Sequence, residues 1–584
     1  MDSNGGTGRA NAALSAESAR NGTGAAGPSR RSNQNPSSPS ASPPVTRGVK
    51  RKSGDNQVRQ RKLDTALARA MYATGVPLTK LANPYWSKFF ALLQYAPPTP
   101  DELSNALLEQ EYKQCQAKTE ELTHKADCLG IMAGYFPNVR LDSIINIIVT
   151  TPQPAIWTQK NYLGNRGKDE IGNELLTAIN KIGSQKFWLL VTNCNEDGYA
   201  ADKVIEKYSH ITQVKCASQC WDLLVGDLIC SVPEFTVRFL QARDIVKHFK
   251  FCSERLAVFK ENQAEIYGES ARTLKRPGAI SWAQGVRMMI SVIENQEALR
   301  ESVQTAPDID ENIKNHVLEE DFWKEIRCFS EILTRIHAAI TYIAGTQARL
   351  SDVYHIHVLI IEWVRSNLSK LGLRERARQV DDVLIESMGN LVAPIHLAAY
   401  LLDDRYEGRG LDSEGERQAR ECIGSLRSHP GLEAVEEDKK EDRIAQSIIS
   451  MPPSAAECGR RRSEHAFIHS KARNRLTDDR AAKLVKIRCT LQADLSKRKS
   501  SGRAPMTVQQ LEEYFARYPE IAEVAADSED EEEREVLPPL KRQTRIDEYF
   551  PSRAPNSSRA SSECVALSSA ERSSSGIIKF FRKS

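Results

Sequence analysis

The chain has 584 residues, room for roughly two or three domains, and its 80 Lys and Arg against 77 Asp and Glu leave a net charge of only +3, which excludes a histone-like polycation. Twelve cysteines lie scattered without a Cys-x-x-Cys pair, which excludes a small disulfide framework and points to free thiols in a reducing compartment. The start of the chain is rich in Ser, Asn, Gly and Ala without an apolar h-region, and no apolar run is long enough to span a bilayer, so neither a signal peptide nor a membrane partner is expected.

Residues 1–60 have the composition of a disordered tail. Two basic groups close it: Lys50, Arg51 and Lys52, then Arg59, Arg61 and Lys62. This pattern resembles a bipartite nuclear localisation signal, and a nuclear address is expected. A solvated basic linker or a nonspecific DNA-contact arm has the same composition. From Leu63 the pattern turns helical, with Leu67, Ala70 and Met71 at three-to-four spacing. Residues 61–125 are read as a helical segment whose second helix, about 101–122, follows the Pro-Pro-Thr-Pro stop at 97–100.

The period then changes. Residues 129–133, 144–151 and 155–162 read as three strands in quick succession. The middle one, Ile144-Ile145-Asn146-Ile147-Ile148-Val149, is nearly all β-branched and is expected to be central. A helix at about 168–182, a strand at 187–193, a helix, a strand at 211–216 and a helix at 217–230 follow. Three strands, helix, strand, helix, strand, helix is the order of a ribonuclease-H-like fold. The fold class expected is α/β: a ribonuclease-H-like mixed sheet over 126–232, interrupted by a large all-α insertion over 233–450, with disordered tails at both ends. Phe322, Trp323, Ile326, Phe329, Ile332, Leu333 and Ile336 form an apolar stripe in that insertion, read as core. Of the eleven histidines only His355 and His357 are close, and their spacing points them to different helix faces. Cys216 and Cys220 have no second pair, so zinc is not expected.

Several short motifs add to this order: Asn138-Val139-Arg140-Leu141-Asp142-Ser143-Ile144-Ile145-Asn146, Thr150-Thr151-Pro152-Gln153-Pro154, Val191-Thr192-Asn193, Cys216-Ala217-Ser218-Gln219, Leu402-Asp403-Asp404-Arg405-Tyr406-Glu407-Gly408, and Phe467 to Leu476. Together, over roughly 60–495, they resemble the hAT transposase superfamily, in the subgroup with an uncharacterised domain before the catalytic core. The resemblance implies that 451–498 completes the fold and supports a homodimer. It also implies a site of two Asp and one Glu that holds two divalent ions at a DNA phosphate. This chain departs from the family at all three acids. Gly134, in Gly134-Tyr135-Phe136-Pro137-Asn138, stands where the family has the Asp of Asp-Gly-Trp-Ser-Asn. Asn193 takes the second Asp position, and Gly459, before Arg460-Arg461-Arg462-Ser463, takes the Glu position of Glu-Arg-Asn-Trp-Ser. Gln219 replaces the histidine of a Cys-x-x-His motif, and Ile280-Ser281-Trp282 replaces Thr-Arg-Trp. Neither metal nor cofactor is expected, and strand-transfer activity is expected to be lost. Asp197 and Glu457 are the acids that would substitute if the register were shifted, since one step along a strand turns a side chain to the other face. An active metal-dependent cut-and-paste transposase and a decaying transposon copy remain the alternative readings. No Cys/His finger precedes the core. The basic set Arg460, Arg461, Arg462, Lys471, Arg473 and Arg475 reads equally as a DNA-phosphate contact or as a solvated face or an interface for acidic helices.

Residues 499–584 read as a disordered tail. An acidic run, Asp527 and Glu529 to Glu533, includes Ser528 in the setting of an acidophilic-kinase site. After it comes Gln543-Thr544-Arg545-Ile546-Asp547-Glu548-Tyr549-Phe550. Gln543, Ile546, Tyr549 and Phe550 fill the four positions of the PIP box, the peptide that docks on the sliding clamp PCNA. One turn of tight helix puts the fourth, seventh and eighth side chains on one side as a three-pronged apolar plug. Lys541, Arg542 and Arg553 suit an acidic partner surface. Ile577, Phe580 and Phe581 repeat the apolar spacing, with Ser574 where Gln would stand, as a second and weaker clamp site.

Overall fold

The computed structural model describes residues 52–138, 140–150, 153–163, 167–193, 198–276, 282–372, 377–470, 476–499 and 506–517. Among them helices dominate, around one mixed five-stranded sheet. Helix α1 (Lys52–Thr74) begins inside the expected tail rather than after it, and its Arg59, Arg61 and Lys62 are exposed. α2 (Pro84–Leu92), α3 (Pro100–Ser104) and α4 (Ala106–Lys125) follow. The expected helix at 101–122 is broken at Asn105, which leaves helical geometry (φ −125°, ψ −84°). Thr99 starts α3 with a capping box: its hydroxyl accepts from Glu102 N, and Glu102 returns a bond to Thr99 N.

The sheet has the order β3-β2-β1-β4-β5. Its strands are β1 (Leu129–Pro137), β2 (Ser143–Thr150), β3 (Pro154–Tyr162), β4 (Phe187–Thr192) and β5 (Thr212–Lys215). β1–β2 and β2–β3 are antiparallel; β1–β4 and β4–β5 are parallel. β1, rather than the apolar β2, holds the middle. It runs four residues beyond the expected end because β2 pairs with its whole length, to Pro137 opposite Ser143. Asn138 closes the hairpin: its Oδ1 accepts from Arg140 N (2.8 Å) and Asp142 N (2.9 Å), while Leu141 takes a positive φ of 67°.

One face of the sheet, with Ile131, Ala133, Ile145, Ile147 and Leu190, packs on α5 (Gly167–Ile182) and α6 (Gly198–Lys207). α7 (Ala217–Ser231) then leads into a helical region with its own core. That region comprises α8 (Pro233–Lys250), α9 (Ser253–Tyr267), α10 (Trp282–Glu294), α11 (Gln296–Thr305), α12 (Glu311–Leu318), α13 (Glu320–Ala344), α14 (Asp352–Lys370) and α15 (Ala377–Leu391). The stripe from Phe322 to Ile336 on α13 is buried there, and His357 of α14 accepts a hydrogen bond from Trp221 Nε1 (3.0 Å). Burial lowers the pKa of His357 to about 4.

The expected insertion boundary at 450 does not mark a separate layer. α16 (Pro394–Leu402), α17 (Ser413–Leu426) and α18 (Lys440–Ile449) pack on the second sheet face, where Ile395, Ile423, Ile444 and Ile448 meet Met132, Ile148 and Val191. α19 (Ala456–Ile468) joins that face, and α20 (Asp478–Lys499) packs on α4 and β3. A further correction concerns the tail: residues 508–517 form a helix, α21. Its Leu511 and Phe515, at i and i+4, are buried in the helical core, with Phe515 beside Tyr342 and Trp363.

Candidate functional site

The three degenerate acid positions map onto one end of the sheet. Met132 of β1 lies opposite Val191 of β4 in parallel register, so Asn193, just past β4, is level with Gly134. α19 crosses the same end. A Cβ on Gly134 would stand 2.8 Å from the Cβ of Cys458, the neighbour of Gly459. Gly459 itself is exposed, with open space where its Cβ would be. The structure therefore brings Gly134 against the Cys458–Gly459 pair. Gly134 is needed there by close approach: any side chain would collide with the helix.

Two further polar residues share this face. Asn146 of β2 is the direct cross-strand partner of Gly134, and Gln159 of β3 is the partner of Asn146. Direct antiparallel partners project from the same side. A hydrogen-bonded row results. Gln159 Nε2 donates to Asn146 Oδ1 (2.5 Å), and His465 Nδ1 of α19 lies 3.3 Å from Gln159 Oε1. The row stops at Asn146. This residue is fully buried, yet its Nδ2 has no hydrogen-bond partner among the described residues. Buried amides are almost always paired, and an orphaned donor costs about 1–3 kcal/mol. Its cross-strand neighbour is Gly134, which has no side chain to accept.

The site carries no uncommitted negative charge among the described residues. Glu457 is buried, but Arg460 (Nε–Oε2 2.6 Å) and Arg461 both pair with its carboxylate. Arg460 also donates to Ala344 O (2.8 Å), tying α19 to the end of α13. Asp478 is likewise engaged by Asn138 Nδ2 (3.0 Å), Asn161 Nδ2 (2.8 Å) and Arg140 (3.3 Å), with His469 Nδ1 at 3.5 Å. Burial, with a smaller effect from neighbouring His469, lowers the pKa of His465 to about 4, so it is neutral at pH 7. Among the described residues no group of three or more His, Cys, Asp or Glu side chains is arranged to hold a metal ion.

Asp197, Lys50 and Arg51 lie outside the described residues, as do Lys471, Arg473, Arg475, the PIP-box residues Gln543, Ile546, Tyr549 and Phe550, and Ile577, Phe580 and Phe581. Sequence reasoning missed Asn146, Gln159 and His465. Asn146 had a signal, as the one polar residue in a run of β-branched ones; the other two depend on strand register and helix packing.

The close approach makes a direct prediction. Gly134→Ala should destabilise the fold by about 1–3 kcal/mol through overpacking against Cys458. In a Cys458→Gly background the same change should cost markedly less, giving a coupling energy above about 1 kcal/mol in denaturant melts. Additive effects would show that Cys458 does not close the site.

No protein-family model matches the chain, and a search of curated proteins likewise finds no match. No single helix among the described residues is long and apolar enough to cross a membrane, and the described cysteines are free thiols.

Proposed function

We propose that the protein is a catalytically inactive nuclear derivative of an hAT transposase, built on a ribonuclease-H-like core, that acts by binding the sliding clamp PCNA through Gln543, Ile546, Tyr549 and Phe550. The mixed sheet, with three successive strands followed by alternating helices and strands, supports the ribonuclease-H-like reading. The observation that carries the inactive reading is the unpartnered Asn146 amide facing Gly134. With glycine at 134 and α19 closed against it, that donor has no carboxylate to meet and the floor is neutral, while the Glu457 carboxylate nearby is already matched by two guanidinium groups.

Two hydrated divalent ions cannot be held without negative ligands, because magnesium gives up water reluctantly. With the catalytic set gone, the clamp peptide is the element of the chain with chemistry suited to a partner. DNA contact through Lys471, Arg473 and Arg475 accompanies this role, Arg460 and Arg461 being paired with Glu457, and the nuclear address follows from the basic groups at 50–52 and 59–62. The inactive reading is tested by titrating the full chain with manganese and magnesium in a calorimeter. No saturable binding is expected at micromolar metal, and duplex DNA should stay uncut in either metal. Chelator-sensitive DNA cleavage would favour the active transposase instead.

A further inference from the structure

We propose that α2 is a homotypic docking element, through which two copies of this chain pair about a two-fold axis. From Ala82 to Leu93 every residue is exposed except Phe90. Phe90 anchors the helix, stacked on Trp86 (5.6 Å) and edge-on to Tyr95 (5.6 Å). Opposite that anchor lie Tyr85 (78 % exposed), Phe89 (50 %) and Leu92 (85 %), with Leu93 (51 %) beside them. A nine-residue helix with apolar side chains almost all round does not hold its shape alone in water, and a helix of that composition belongs in a buried setting.

The occupant follows from spacing, area and charge. Tyr85, Phe89 and Leu92 fall at i, i+4 and i+7, the spacing of a helix–helix seam. Two such helices laid antiparallel put Phe89 against Phe89 of the second copy and Tyr85 between its Leu92 and Leu93, so the surface complements itself. The exposed apolar area is roughly 500 Å² per chain, most of the approximately 800 Å² per partner of a stable interface. It also lies in the upper half of the range of about 300–600 Å² for the largest patch on a typical monomer, a patch that is often functional. The only charge on α2 is Lys88, which turns over the ring of Tyr85 (5.6 Å) and leaves no charge pattern that calls for an oppositely charged partner.

The segment that the family resemblance assigns to dimerisation is otherwise engaged. Leu484, Val485, Ile487 and Cys489 of α20 are buried within the same chain, in the cluster that also holds Leu108, Cys115 and Ile156. Among the described residues of that segment Phe467 and Leu495 are exposed but lie on different helices, whereas α2 gathers Tyr85, Phe89, Leu92 and Leu93 on one helix.

Light scattering and sedimentation of the full chain test this. A reversible dimer is expected, with a dissociation constant on the order of micromolar. Phe89→Glu with Leu92→Glu should raise that constant at least about 100-fold while the melt of the monomer, taken well below the wild-type constant, stays unchanged, since both side chains are exposed. Mixing a Phe89→Glu chain with a Phe89→Lys chain should restore a mixed dimer, because residue 89 meets its own copy. A wild-type monomer at about 50 µM, well above such a constant, would overturn the proposal. So would a dimer insensitive to the double change, or failure of the mixed pair to form.

Discussion

Arg405→Met should destabilise the folded chain by about 3–5 kcal/mol, the scale of removing one partner from a buried ion pair. Arg405 lies between two buried carboxylates. Its Nη2 is 2.7 Å from Asp352 Oδ1 and 2.7 Å from Asp403 Oδ2, and Nε reaches Asp403 Oδ1 at 3.0 Å. Asp352 is fully buried and also accepts from Tyr342 (2.9 Å), Tyr406 (2.8 Å) and Arg349 N (2.8 Å). Arg405 Nη1 donates to Met506 O (3.0 Å), which holds the approach to α21. One guanidinium thus joins the end of α13, the start of α14, the turn after α16 and the last described helix. Without it, Asp352 is left in the core with hydroxyl and amide partners only, and Asp403 with the Ser351 hydroxyl, the backbone N–H of residue 405 and the more distant Arg349 guanidinium (3.9 Å).

Urea melts check this, and Arg417→Met is the control. Arg417 pairs with Glu414 and Glu421 on the open face of α17, where solvent screens the interaction, so its loss should leave the midpoint unchanged. Equal loss from both variants would remove the special standing of the Arg405 network. The network also sets an acid limit. Burial opposes ionisation of Asp403, but hydrogen bonds from Arg405 and Ser351 outweigh it and hold the carboxyl below its usual range. A depressed folded-state pKa contributes stability that is fully present above the unfolded value, about 3.9, and is lost as pH falls through the folded one. The urea midpoint should therefore drop below about pH 4, and the drop should be smaller in Arg405→Met.

The second large effect is expected in the tail. A peptide spanning 538–556 should bind PCNA with a dissociation constant on the order of micromolar, the scale for a short peptide that orders itself on binding. Changing Tyr549 and Phe550 together to Ala should cost at least about 2–3 kcal/mol, because buried aromatic anchors carry most of such an interface. Gln543→Ala should cost about 1 kcal/mol, exchanging one hydrogen-bonded contact for water. Asp547→Ala should change little, because Asp547 fills none of the four motif positions. An Asp547→Ala loss as large as that of the aromatic pair would mean that binding does not run through this plug.

The parts legible in the chain are those set by local pattern. β2 carries isoleucines on both sides and is buried along its whole length. The alternation of helix and strand from 167 to 231 reproduces its expected limits to within two residues. What escaped was non-local. Gly134 and Pro137 read as the end of a strand, yet cross-strand pairing carries β1 through both. α21 sits between a basic and an acidic stretch and reads as linker; only Leu511 and Phe515 mark it, and their burial depends on α13 and α14, some 150 residues earlier in the chain. The contact of Gly134 with Cys458 joins positions far apart in the chain. Neither charge count nor periodicity reveals that the helix closes over the missing side chain.

The most direct test of the clamp-binding role is titration of the full-length protein against the purified PCNA ring, wild type beside the Tyr549→Ala/Phe550→Ala variant. The account predicts saturable wild-type binding that weakens at least about 30-fold in the variant, the equivalent of about 2 kcal/mol. Residual binding should vanish when Ile577, Phe580 and Phe581 are also changed to Ala. Absence of wild-type binding, or undiminished affinity with both apolar plugs removed, would contradict it.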